Sequence, residues 1–168
     1  MLLIGALIFI VGIGGLFARG GDEAGPGLIE TDGAWRLDGA TDEVVTVTVD
    51  RIIDGDTLDV LSALTGFRVR LFGIDAPEAG APCAEEATQR LEVLADGSVR
   101  LLPDERLEDG NGRQLRYVFT ADGRSIDAML VAEGLAEAWR QDGHFRDDLV
   151  ALEEAAQDAR TGCLWGGG

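Results

Sequence analysis

The 168-residue chain has no lysine and a single histidine, His144; its 14 basic residues are all arginine and face 31 acids, for a net charge of −17. A broad basic surface of the kind that captures polyanions nonspecifically is therefore excluded. With one imidazole, and with Cys83 and Cys163 lying in neither a CxxC nor a Cys/His spacing, zinc chemistry and histidine-centred triads are excluded as well. Two cysteines are also too few for a disulfide-stapled mini-protein. No internal repeat occurs, and the only low-complexity stretch in the C-terminal half is the tail 166–168. What remains, 46% apolar and 27% charged residues, is enough for one ordinary core despite 24 glycines, so a wholly disordered or collagen-like chain is ruled out.

The longest hydrophobic run opens the chain. Residues 1–17 read MLLIGALIFIVGIGGLF, with no charge before Arg19, near the lower limit for a membrane-crossing helix. Nothing basic precedes the run and no A-x-A site follows it, which favours an uncleaved anchor over residues 1–18; a cleaved signal peptide is the alternative. Residues 19–43 turn to Gly, Asp and Glu, the composition of a linker, with Leu28, Ile29 and Trp35 available to dock on a domain. The folded domain is placed at 44–165. Its acidity matches the rest of the chain: 7 acids against 2 arginines before residue 44, and 24 against 12 after it.

Within that domain, residues 44–53 alternate apolar and polar at period two, Asp54-Gly55 makes a turn, and residues 57–61 resume the strand pattern. A third strand over 67–74 puts Phe67, Val69 and Leu71 on one face and Arg68 and Arg70 on the other. A helix follows Pro82, with Ala84, Ala87, Leu91 and Leu94 on one side. Short strands are expected at 99–102 and 114–120, and helices at 125–138 and about 145–159. Three strands, a helix, two strands and two helices suit a mainly β plus α fold: a five-stranded antiparallel Greek-key barrel of the OB type with three helices, preceded by the N-terminal hydrophobic helix.

Three polar clusters interrupt this pattern: DGDT at 54–57, RLFGIDAPE at 70–78 and DGNGR at 109–113. Each alone reads better as a turn or a strand end with solvated charges than as a functional site. Together they supply two carboxylates able to share a hard cation, a third able to orient water, and two arginines able to clamp a phosphate. Phosphodiester hydrolysis needs both parts, because negative charge accumulates on the phosphoryl oxygens in the transition state.

The order IDGDTL, RVRLFGIDAPE, DGNGRQLRYVF and ADGRSIDAMLVAEGLA resembles the staphylococcal nuclease (thermonuclease) family over about residues 44–165. The resemblance implies an OB barrel with three helices that hydrolyses DNA and RNA with Ca²⁺. Carried onto this sequence, it makes Asp56, Asp75 and the main-chain carbonyl of Ala76 the calcium ligands. Glu78 positions or activates water, Arg70 holds the substrate phosphate, and Arg113 stabilises charge on the phosphoryl group or its leaving oxygen. Asn111 and Gly112 stand where the family usually carries a tyrosine. Trp139 is a substrate-binding candidate that either stacks on a base or packs at a helix end. Two other readings stand beside hydrolysis: an inactive OB module that binds nucleic acid or protein at the cell surface, and a calcium-stabilised adhesion domain. Nuclease activity implies a domain outside the cytoplasm, held at the cell membrane by a single-pass anchor or secreted after signal cleavage. In that setting Cys83 and Cys163 form a disulfide if the C-terminal segment returns toward the Glu78 loop; otherwise they are unrelated thiols.

Overall fold

The computed structural model describes residues 27–38, 42–63 and 65–167. Five strands close a barrel in the order β3-β4-β5-β8-β7. They are β3 (Val45–Asp54), β4 (Thr57–Ser62), β5 (Thr65–Leu71), β7 (Ser98–Leu102) and β8 (Gln114–Thr120). The period-two pattern has the expected result: Leu58, Val60, Val69, Leu71, Val99 and Val118 point into the barrel, each fully buried. Two further strand pairs flank the barrel: β1 (Leu28–Thr31) with β2 (Ala34–Leu37), and β6 (Ile74–Asp75) with β9 (Glu137–Ala138). The helices are α1 (Ala84–Leu94), α2 (Ile126–Ala132), α3 (Arg146–Asp158) and the single turn α4 (Gly162–Trp165).

The expected antiparallel sheet needs one correction, since β5 and β8 pair parallel, Arg70 lying opposite Leu115. This pairing closes the barrel and brings the turn before β8 to the end of β5 where Arg70 sits. The expected third strand also breaks in two. At the break, Gly73 gives its N–H to the Asp127 carboxylate at 3.1 Å, and Phe72 bonds the carbonyl of Arg116 at 2.9 Å. The helix expected over 125–138 stops at Ala132; Gly134 takes φ +66°, and the chain turns into β9.

Part of the segment read as a linker is folded. Strands β1 and β2 make a hairpin whose Leu28 is buried against Phe72, Leu102 and Tyr117, and the carbonyl of Trp35 accepts the N–H of Ser125 at 2.7 Å. The expected anchor at 1–18 lies outside the described residues. Among those described, no helix is long and apolar enough to cross a membrane.

Two cores meet across the barrel wall. The first fills the barrel and continues to Ala87 and Leu91 of α1 and to Ile126 and Leu130 of α2. The second gathers Phe72, Tyr117, Phe119, Phe145 and Leu149 under α3. Gly55, in the β3–β4 turn, is the point of closest approach: a Cβ there would lie 2.7 Å from the Ala87 Cβ and 2.8 Å from the Ala76 Cβ. That contact presses α1 and the chain after β6 onto the Asp56 turn.

Candidate active site

Asp56 leaves the β3–β4 turn pointing inward. Its Oδ2 accepts the backbone N–H of Ala76 at 3.0 Å and its Oδ1 accepts the Thr57 hydroxyl at 2.8 Å. Burial raises the Asp56 carboxyl above the ordinary carboxylate range, while the nearby Arg70 guanidinium and these hydrogen bonds pull the other way. A nearby cation offsets such a desolvation cost.

Arg70, on the outer face of β5, lies between two carboxylates. Its Nη2 is 3.3 Å from Asp56 Oδ2 and donates to Asp75 Oδ1, while Nη1 donates to the carbonyls of Ile74 at 2.9 Å and Leu71 at 3.2 Å. Asp56 and Asp75, 19 residues apart in sequence, thus converge on one nitrogen. Asp75 is exposed, and β6 holds it in place by pairing Asp75 with Glu137.

Glu78 lies three residues beyond Asp75 in the loop before α1, exposed, its backbone carbonyl accepting the Ala81 N–H at 2.9 Å. The Cys83–Cys163 disulfide fixes the far end of this loop, with Cα atoms 5.6 Å apart. The C-terminal segment therefore does return to it.

Arg113 comes from the turn before β8. Asp109 organises that turn, its Oδ1 accepting the N–H groups of Asn111 at 2.9 Å and Arg113 at 3.0 Å, its Oδ2 accepting Arg113 Nε at 2.6 Å. Burial pushes the Asp109 carboxyl up, but the bonds from Arg113 and Asn111 outweigh it and hold the group below its ordinary value. The parallel β5–β8 pairing carries Arg113 toward Arg70, and its Nη1 lies 3.5 Å from the Thr57 hydroxyl that also bonds Asp56.

Arg70 and Arg113 line one cavity of about 220 Å³, shared with Asn111 and Trp139. Trp139 thus belongs to the site wall, not to the interior of the core. Sequence reasoning missed the rest of that wall: Arg106 grips Asp142 through Nε at 2.7 Å and Nη2 at 2.9 Å, and its guanidinium carbon lies 4.9 Å from the Phe72 ring centroid. The Trp139 indole donates to the same Asp142 at 2.7 Å. His144, given no role above, is exposed, and its backbone N–H donates to Asp104.

The arrangement can bind an anion between two guanidinium groups beside a pair of converging carboxylates. Among the described residues no group of three or more His, Cys, Asp or Glu gathers as a metal cage. Two carboxylates are a sparse set of hard oxygen donors, fitted to a hard divalent ion that completes its shell with water and substrate oxygens and unfitted to zinc or copper.

The family described as staphylococcal nuclease homologue matches residues 68–166, which include every site residue named above except Asp56 and Thr57. Protein ParB of Escherichia coli is 38% identical over 124 residues, covering 68% of this chain and 69% of that protein. The micrococcal nuclease of Shigella flexneri is 38% identical over 126 residues, covering 68% and 70%. The thermonuclease of Staphylococcus intermedius is 30% identical over 143 residues, covering 79% and 82%. With more than half of its length matched by the family, and with relatives of 30% identity or more covered over two thirds of their length, the chain belongs to the staphylococcal nuclease family.

Proposed function

We propose that the protein is a calcium-dependent phosphodiesterase that hydrolyses DNA and RNA. The observation that carries this reading is the convergence of Arg70 and Arg113 on one cavity beside the Asp56–Asp75 pair. A module that only binds nucleic acid gains nothing from carboxylates aimed at a polyanion. A calcium-stabilised adhesion domain has no use for the two arginines.

In this reading Asp56, Asp75 and the Ala76 carbonyl hold Ca²⁺, which when bound supplies positive charge to a phosphoryl oxygen. Arg70 exchanges its carboxylate partners for the substrate phosphate. Arg113, held at Nε by Asp109, presents its guanidinium to the charge that grows in the transition state. Glu78 orients the attacking water or takes its proton from a solvent-facing position. Trp139 packs against the nucleotide held there. The Cys83–Cys163 bond supports a working place outside the reducing cytoplasm, to which residues 1–18 deliver the domain as anchor or signal.

The test separates two phenotypes. Asp56→Ala should lose calcium affinity, read by titration calorimetry, together with hydrolysis of single-stranded DNA. Arg113→Ala should keep calcium binding and lose turnover by about 10²-fold or more. Two folded variants that both cleave at the wild-type rate, with and without chelator, would remove the assignment.

A further inference from the structure

Beyond Arg70, the outer face of the barrel continues away from the site. Successive rungs of the β4–β5 ladder on that face are Thr57 opposite Arg70, Asp59 opposite Arg68, and Leu61 opposite Gly66. Residues two apart on a strand point to the same side and stand about 7 Å apart. Arg68 and Gly66 therefore follow Arg70 in line, and they floor a cavity of about 530 Å³ that the chemistry above does not use. Asn111 and Arg113 line this cavity and the 220 Å³ one alike, so the 109–113 turn is a wall between the two.

The larger cavity has a different character from the smaller. Asp50 and Asp59 balance Arg68 and Arg113 along its lining, which gives a second phosphate no net attraction. Arg68 spends one edge on Asp59, through Nε at 2.7 Å and Nη2 at 3.0 Å, and Arg51 Nε bonds the same carboxylate at 2.9 Å. This grip leaves the guanidinium plane as a flat surface. Next to it Leu61 is 41% exposed, because its cross-strand partner has no side chain: a Cβ on Gly66 would come within 3.3 Å of Leu61 Cδ2. A charge-balanced groove with a flat cation and a bare apolar side chain fits a nucleobase and its sugar. The strands and turn that line it are those that OB barrels use for oligonucleotides.

We propose that this groove is a second nucleotide subsite. It takes the base and sugar that adjoin the scissile phosphate on the side away from Trp139, so that a single strand crosses the site over the 109–113 turn. The proposal rests on the phosphodiesterase reading, because Arg70 and Arg113 fix where the phosphate lies.

The experiment is fluorescence anisotropy of a short labelled phosphorothioate oligothymidylate on the full chain with calcium. Leu61→Glu should weaken binding about tenfold or more, the loss of one apolar side chain buried under the nucleoside. Val93→Glu adds the same charge at an exposed position on α1 and should bind as wild type does. Equal affinities of wild type and Leu61→Glu, or equal losses in both glutamate variants, would overturn the subsite. If Leu61→Glu fails to fold, Leu61→Trp replaces it: tighter binding supports the subsite, and unchanged or weaker binding overturns it. Wild-type hydrolysis of a single-nucleoside p-nitrophenyl phosphodiester, which has no second nucleoside for the groove, tests the phosphodiesterase reading separately.

Discussion

Asp127 shows how one buried carboxylate can set a response to pH. It sits in the first turn of α2 at 1% exposure, its Oδ1 accepting the N–H of Gly73 and its Oδ2 the N–H of Val118 at 2.9 Å, so it ties the break after β5 to the middle of β8. Burial pushes its carboxyl up to about 7 from an ordinary 3.8, the two backbone bonds opposing the rise. Between those values the folded state holds a proton that the unfolded chain has released, so the stability due to this group is present at low pH and is lost as pH rises through about 7. The slope approaches about 1.4 kcal/mol per pH unit. Asp127→Asn, which does not titrate, should therefore start less stable than wild type, with the gap closing from pH 5 to pH 8 in urea unfolding. A gap that stays constant over that range would mean the carboxylate is ionised throughout. At this scale the sequence showed the site only in part. Asp56, Asp75, Arg70 and Arg113 stood out because they interrupt a strand pattern that has no need of them. Arg106 and Asp142 did not, since they lie 36 residues apart and acquire meaning only when the fold brings them together beside Trp139.

Among the elements, the link between α1 and α4 carries the clearest consequence. Cys83, just before α1, adopts a left-handed backbone with φ 71°, a conformation that costs a non-glycine residue energy and that the surroundings must hold. The bond to Cys163 helps hold it, closing a loop of 80 residues. Such a closure is worth about 4 kcal/mol in the chain-entropy model. Replacing both cysteines with serine should lower stability by roughly 2–4 kcal/mol, measured by urea unfolding with the reduced wild type as comparison. Identical unfolding of oxidised wild type and the double variant would show that packing alone holds the C-terminus. The elements that the sequence made legible were those with a local pattern of their own: β3, β4 and β5 by alternation, β7 and β8 as short apolar runs, α1 and α3 by apolar stripes. Three features depend on partners far along the chain and left no local pattern. The hairpin of β1 and β2 needs the surface around Phe72 and Ser125 to pack on. The parallel β5–β8 pairing is a property of barrel closure. The short strand β9 exists because β6 lies opposite it.

The whole molecule presents a contradiction in charge, which salt resolves. A net charge of −17 repels a polyanionic substrate at long range, whereas the site itself gathers Arg70, Arg106 and Arg113 around one cavity of about 220 Å³. Nucleases that capture their substrate through a basic groove lose affinity steeply as salt rises, because each counterion released from the phosphates gains less entropy on entering an already concentrated solution. Here the distant repulsion and the local attraction respond differently. The screening length falls from roughly 30 Å at 0.01 M to about 10 Å at 0.1 M, so the repulsion between the acidic surface and the approaching strand fades first. The arginines act at contact distance and are screened less over the same range. The encounter should therefore become easier while the bound complex changes little. At fixed saturating Ca²⁺, hydrolysis of single-stranded DNA is expected to stay level or rise between about 0.01 M and 0.1 M NaCl and to decline only beyond it. Initial rates across that series, with calcium held constant, measure the effect directly. A steep fall from the lowest salt onward would place the dominant attraction in the released counterions of a broad basic surface, which this sequence does not have.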